Sequence, residues 1–296
     1  MDKTHWAALA AWAGVGGKTM TALLQHFGSL EAILAASARE LRDVRGVGPQ
    51  TAAAITRLDL AAVEAELARF AAQGIGILTW EDKDYPANLL HSADAPPVLF
   101  VRGALAPQDA RAVAIIGTRT PPPASAALAE RIAAALAARG WTIVSGLALG
   151  IDTAAHRGAL NVGGRTLAVL GCGAAMVYPP ANRQLAETIT QQGALLSETH
   201  PLATVSRQSL IARNRITSGL SRAVIVIQAG GKDSGSMSTV RRAREQGRPV
   251  FAFSGDADYK GLLQAGAEIL TPADLDGDAL AERLDRLTIV SPPRFQ

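Results

Sequence analysis

Between Arg111 and Phe253 the chain repeats one pattern: a short run of apolar residues, a turn, then a longer stretch with apolar residues at helical spacing. The apolar runs predict strands over Val113–Gly117, Trp141–Ser145, Thr166–Gly171, Ala194–Ser197, Ala223–Gln228 and Pro249–Phe253. Helices are expected between them, over 124–139, 153–161, 182–192, 207–219 and 236–246. Strands that are apolar throughout, rather than alternating, belong to a parallel sheet covered on both faces. With right-handed crossovers this gives an α/β, Rossmann-like, doubly wound and mostly parallel sheet.

The first third reads differently. Residues 4 to 72 are rich in Ala and Leu at helical spacing and are broken by glycine clusters. Gly14-Val15-Gly16-Gly17-Lys18-Thr19 and Gly46-Val47-Gly48-Pro49-Gln50-Thr51 share the form G-V-G-x-x-T. Each lies between short apolar helices, so a tandem helix-hairpin-helix module, a small all-α, SAM-like domain, is expected in front of the sheet. Two uses remain open for such hairpins: a phosphate held at a helix N-terminus, or a purely structural turn that can dock a protein. The expected organisation is a helical domain over 1–72, a connector and start of the sheet domain over 73–110, and the Rossmann-like domain over 111–296.

Composition narrows the class. Hydrophobic residues make up 48% of the 296 and charged residues 19%, which excludes a mainly disordered chain. No apolar run approaches the ~18 residues of a membrane span. The single cysteine, Cys172, excludes an internal disulfide and a cysteine-based metal site. The N-terminus lacks a signal-peptide layout, so a cytoplasmic location is expected. Net charge is only +3, yet Ala203 to Val250 carries nine Arg or Lys against two acids, a local +7 that leaves −4 for the rest. That asymmetry suits a polyanion such as nucleic acid, or else a solvated helix face.

In a doubly wound sheet, ligands bind beyond the carboxyl ends of the strands. The loops so placed run 117–120, 145–150, 171–173, 197–200 and 229–236; four of the five contain glycine. Their backbone N–H groups, with Arg119 and Lys232 nearby, can cradle phosphates, or the glycines can simply close turns. No G-x-G-x-x-G fingerprint with its acidic partner and no G-x-x-x-x-G-K-[ST] occurs, so NAD and Walker-type sites are unsupported and no cofactor is expected. The five histidines are scattered, no carboxylate cluster is evident, and no metal site is expected. Asp152 reads as a helix N-cap and Cys172 as a small residue in a tight turn, so no catalytic residue is assigned.

Several motifs, in order, resemble the DNA-processing protein A family, also called DprA or Smf. They are Pro96-Pro97-Val98-Leu99-Phe100-Val101-Arg102-Gly103, Gly117-Thr118-Arg119, Ser145-Gly146-Leu147-Ala148-Leu149-Gly150-Ile151-Asp152, Gly171-Cys172-Gly173 with Val177-Tyr178-Pro179, Arg213-Asn214-Arg215, and Ser234-Gly235-Ser236 with Glu245-Gln246-Gly247-Arg248. The resemblance implies a Rossmann-like protein that binds single-stranded DNA, forms a homodimer and loads the recombinase RecA during natural transformation, without being an enzyme. It implies a DNA-phosphate site of Gly117, Thr118, Arg119, Ser145, Gly146, Gly173, Arg213, Asn214, Arg215, Lys232, Ser234, Gly235 and Ser236. Arg213 and Arg215 stand about 200° apart on a helix, so one of them is expected to pair structurally instead.

The sequence departs from the family's pattern over Thr199–Ile211, beside the implied site, and it ends about 40 residues after Gly255, short of the winged-helix domain that many members carry. The alternative is a nucleotide-binding or nucleotide-hydrolysing member of the wider phosphoribohydrolase-like superfamily. Those enzymes resemble P-G-G-x-G-T-x-x-E; aligning Gly235-Ser236 with their Gly-Thr puts Thr239 at the acid's place.

Overall fold

A computed structural model describes residues 3–229, 234–253, 259–271 and 277–287. Lys232, one of the expected phosphate ligands, lies outside the described residues. The strands are β1 (Ile75–Thr79), β2 (Val98–Gly103), β3 (Ala112–Gly117), β4 (Thr142–Ser145), β5 (Thr166–Val169), β6 (Ala194–Ser197), β7 (Ala223–Ile227), β8 (Val250–Phe253) and β9 (Glu268–Leu270). They form one sheet in the order β1-β2-β6-β5-β4-β3-β7-β8-β9. Pairing is parallel except where β2 joins β1 and β6, both antiparallel. β1, β2 and β9 have no counterpart among the expected strands: Ile75–Thr79 is interrupted by a glycine, Val98–Gly103 precedes the regular alternation that begins at Arg111, and Glu268–Leu270 is only three residues long.

The chain winds from β3 through β4 and β5 to β6, then returns to the far side of β3 for β7, β8 and β9. The direction therefore reverses between β3 and β7, and a crevice opens beyond their carboxyl ends. The strands are apolar throughout because both faces are covered. Ala114, Ile116, Val144, Val224, Val226 and Val250 pack on helices Asn214–Gly219 and Gly235–Glu245. Their neighbours Val113, Ile115, Ile143, Ile225 and Phe251 pack on Pro123–Ala137, Ile151–Asn161 and Gly277–Asp285. The one helix expected over 207–219 is two, Arg207–Ala212 and Asn214–Gly219, meeting at Arg213.

In the helical domain, Gly17–Phe27 and Pro49–Thr56 are the helices that follow the two glycine turns. The turns share one backbone course: Gly14 and Gly46 have φ of +71° and +92°, while Gly16 and Gly48 cap the next helix in extended conformation. Left-handed φ at the first glycine is what the repeated G-V-G encodes. The domain's core, with Trp6, Met20, Leu23, Leu41 and Ile55, continues into Ile75, Val98 and Phe100 of β1 and β2. The helical domain is thus packed on the sheet's antiparallel end.

His156 is fully buried in the helix Ile151–Asn161. The Thr166 hydroxyl donates to the Ile143 carbonyl (2.8 Å), so the imidazole donates its Nδ1 proton to Thr166 Oγ1 (2.6 Å). Its Nε2 is buried without a hydrogen-bond partner. Burial, and then the charge of Arg213, press its pKa down from 6.5 to about 3. Between those values the unfolded chain takes up a proton that the folded chain refuses. The contribution of His156 to stability is therefore complete above pH 6.5 and falls as pH drops, by about 1.4 kcal/mol per unit. Urea unfolding of the parent at pH 7 and pH 5 is expected to show an acid loss about 2 kcal/mol larger than that of His156→Leu. Equal acid losses in the two proteins would refute a neutral, buried imidazole.

Candidate functional site

A cavity of about 700 Å³ opens at the β3/β7 reversal. It is walled by the end of β3 with Thr118 and Arg119, by Ala148 and Asp152, by Tyr178, by the segment 205–211, and by the first turns of Gly235–Glu245. Arg119, Arg207, Arg213 and Arg241 line it, and among the described residues Asp152 is the one carboxylate that does. Arg119, Arg207 and Arg241 are exposed. The site is strongly cationic.

Arg213 is its buried member, 7% exposed. The guanidinium lies against Gly146, so close that a Cβ built there would overlap Nη1, Cζ and Nη2. It stands 3.8 Å from the Asp152 carboxylate, which accepts the Gly146 and Ala148 amides at 3.1 and 3.3 Å. Asp152 therefore caps the loop Ser145–Gly150, not the helix; the helix N-cap is Gly150. Burial pushes the Asp152 carboxyl up against the pull of Arg213, and burial draws the Arg213 guanidinium down. Each charge offsets part of the other's burial cost. Arg213 Nε and Thr217 Oγ1 are buried, lack hydrogen-bond partners and belong to residues of the cavity wall. Such orphaned groups are costly in a closed protein and are satisfied by a ligand or by water.

Three consecutive residues of the R-N-R motif have three separate jobs. Arg213 enters the cavity. Asn214 donates through Nδ2 to the Gly235 carbonyl (3.1 Å), tying its helix to the serine-glycine loop. Arg215 forks onto Glu198 at 2.8 and 2.6 Å, with Asp94 at 3.6 Å, outside the cavity. Its pKa is raised, the acid partners outweighing burial. Arg215 is thus the one of the two arginines that is paired structurally, its fork filled by a carboxylate.

Of the other expected residues, Gly117, Thr118, Arg119, Ser234, Gly235 and Ser236 all line the cavity. Ser234 caps the helix Gly235–Glu245, accepting from Met237 N, and its hydroxyl meets that of Ser236 at 2.9 Å. The positive end of this helix dipole adds to the arginines. Ser145, Gly146 and Gly173 do not supply donors. The Ser145 hydroxyl donates to Ile115 O (2.7 Å), the Gly146 amide to Asp152, and the Gly173 amide to Ala203 O (2.9 Å). They shape the site from behind.

Arg207, Arg241, Thr217 and Tyr178 were not among the expected ligands. Arg241 was legible: Ser234, Ser238 and Arg241 are spaced i, i+4, i+7, one face of the helix, and all three line the cavity. Arg207 had no such signal, since only the fold brings the 205–211 segment to the rim. The other described arginines of 203–250, outside the R-N-R motif, serve the structure. Arg222 reaches the Leu287 carbonyl (2.5 Å), Arg242 pairs with Glu245, Arg244 meets the Gly266 carbonyl, and Arg248 is buried on the Asn88 carbonyl.

Thr239 is buried and donates to the Gly235 carbonyl at 3.2 Å. Glu245 is outside the cavity wall and paired with Arg242. Among the described residues no three His, Cys, Asp or Glu side chains are grouped to hold a metal. No described helix is long and apolar enough to cross a membrane.

Comparison with known proteins agrees with this geometry. Residues 76–276 match the family model described as DNA recombination-mediator protein A, and residues 12–58 match a helix-hairpin-helix motif. The chain is 38% identical over 281 residues to protein Smf of Synechocystis, covering 91% of this chain and 70% of that one. The crystal structure of DNA processing protein A from Streptococcus pneumoniae superposes with a TM-score of 0.80 at 32% identity, covering 95% of this chain and 98% of that one. DNA processing protein A from Helicobacter pylori, whose structure was determined for its single-stranded DNA binding mode, gives 0.62 at 32% identity, covering 70% and 96%. On the family match and the identity to Smf, this chain belongs to the DNA recombination-mediator protein A family.

Proposed function

We propose that the chain binds single-stranded DNA in the β3/β7 cavity and acts as a recombination mediator in natural transformation, protecting incoming strands and loading RecA. The observation that carries this reading is the buried Arg213, held ready by Gly146 and Asp152 and surrounded by Arg119, Arg207 and Arg241. Phosphates would lie on these arginines and at the start of the helix Gly235–Glu245. The site is a recessed cavity between loops with no helix projecting into a groove, which favours a flexible strand over a duplex.

The same reading includes a homodimer and a cytoplasmic setting, both resting on the family. β9 is the edge of the sheet, and Leu263 on the adjoining helix Tyr259–Gln264 is 42% exposed, which suits a second copy. A binding role without turnover is favoured over hydrolysis. Thr239 occupies the acid's place with a hydroxyl turned to its own helix, and Asp152 is held by two amides and Arg213.

Arginine substitutions separate binding from structure. Arg119→Ala and Arg213→Ala are each expected to weaken single-strand binding and to lower the salt slope of log K by about 0.7, the loss of one phosphate contact. Gly146→Ala is expected to act like Arg213→Ala, because the new methyl occupies the guanidinium's place. Fluorescence anisotropy with labelled single strands at several salt concentrations checks all three; unchanged affinity in folded variants would place the DNA elsewhere.

Arg215→Ala behaves otherwise. It strips Glu198 of its fork and is expected to cost about 2 kcal/mol of stability, with the salt slope of the folded variant unchanged. Urea unfolding alongside anisotropy reads both quantities. Incubation of pure protein with nucleoside monophosphates is expected to release no base; turnover abolished by Arg213→Ala would establish the hydrolase reading instead.

A further inference from the structure

Aromatic side chains are scarce, 4% of the chain, and those whose side chains are described are buried or half-buried with one exception. Tyr178 is 43% exposed and stands in the cavity wall. Its backbone is firmly held although its ring is not. The Cys172 thiol donates to the Met176 carbonyl (3.6 Å) and also contacts the Tyr178 backbone. Just beyond, Asn182 donates through Nδ2 to the Leu147 carbonyl and to Thr153 Oγ1, both at 2.8 Å. An exposed ring on a fixed turn gives contact area at little cost in ordering.

The surroundings say what the ring faces. Val205, Leu210 and Ile211 supply apolar surface elsewhere in the same wall, Ile211 being 40% exposed. The same lining carries cationic and hydroxyl groups, among them Arg119, Arg213 and Ser236, against the Asp152 carboxylate. A cavity that combines arginines with one ring suits an anion joined to a flat aromatic group, which is a nucleotide unit of a single strand. A protein partner would call for a broader apolar area than one ring beside a charged cavity. The segment that supplies this apolar surface, 205–211, also carries Arg207, so the ring and the cation share one wall.

We propose that Tyr178 is the stacking platform for one nucleobase of the bound strand. The inference rests on the reading that the cavity holds single-stranded DNA. Stacking is non-ionic, so its contribution is separable from phosphate contact by salt dependence.

The test uses the full chain, labelled oligothymidylate, and anisotropy across a salt series, with melting curves to verify folding. Tyr178→Ala is expected to weaken binding roughly tenfold at every salt concentration, leaving the salt slope unchanged. Tyr178→Phe is expected to bind like the parent. Independently of any variant, the parent is expected to prefer oligothymidylate to an abasic strand of the same length, and Tyr178→Ala to lose roughly that same tenfold preference. If Tyr178→Ala binds as tightly as the parent while Arg119→Ala is weakened, the strand lies in the cavity without stacking on Tyr178, and the proposal fails alone. A reduced salt slope in Tyr178→Ala, or an equal loss in Tyr178→Phe, overturns it as well. If neither Tyr178→Ala nor Arg119→Ala changes binding, the cavity is not the DNA site and both readings fall.

Discussion

The site depends on a buried ion pair that is costly to make. Arg213 and Asp152 are each under a tenth exposed, and burial works against the charge of both while each attracts the other. The pair is 3.8 Å apart, too long for a tight fork, and the arginine keeps a nitrogen unpartnered. Asp152 spends its carboxylate on two loop amides, so it anchors the arginine electrostatically without occupying its donors. An arginine held in this way is fixed in position and still has donors to give. Gly146 is the condition for it, since any side chain there would displace the guanidinium.

The contrast with Arg215 shows how context sets the role of identical side chains. Two residues along, the same group meets Glu198 squarely and becomes a strut between the R-N-R helix and the loop after β6. Gln246 reinforces that strut, accepting from the Ser218 hydroxyl (2.6 Å) and donating to Ser92 Oγ (3.1 Å) and the Arg215 carbonyl (2.8 Å). A rigid frame of this kind keeps the cavity's shape before a ligand arrives.

The helical domain takes part in that frame. His200, in the loop after β6, accepts the Leu202 amide at Nδ1 and so donates from Nε2 to Glu66 (3.0 Å) on the helix Leu60–Ala72. Its ring stands edge-on to Trp12 and Phe70, at 4.5 and 5.7 Å between centroids. The same loop is stitched to the segment below Tyr178 by Ala175 N to Pro201 O and Gly173 N to Ala203 O. The loop after β6 therefore lies where the N-terminal helices and the segment below Tyr178 meet.

The sequence by itself determined the α/β layering, the parallel strands, the paired glycine turns and the loops that carry the cavity. These follow from local rules: apolar runs need two covers, and a left-handed turn needs glycine. Even the division of labour between Arg213 and Arg215 was half legible, because helical geometry sends them opposite ways. Which of them faces the cavity was decided by tertiary structure, through Gly146 and Asp152 on one side and Glu198 on the other. The same holds for Ser145 and Gly173, whose donors are consumed by partners about thirty residues away, and for Arg207 and Tyr178, brought to the rim by segments that share no local pattern. Hydrogen bonds and charges are satisfied between distant residues, and a one-dimensional pattern records only the local half of each.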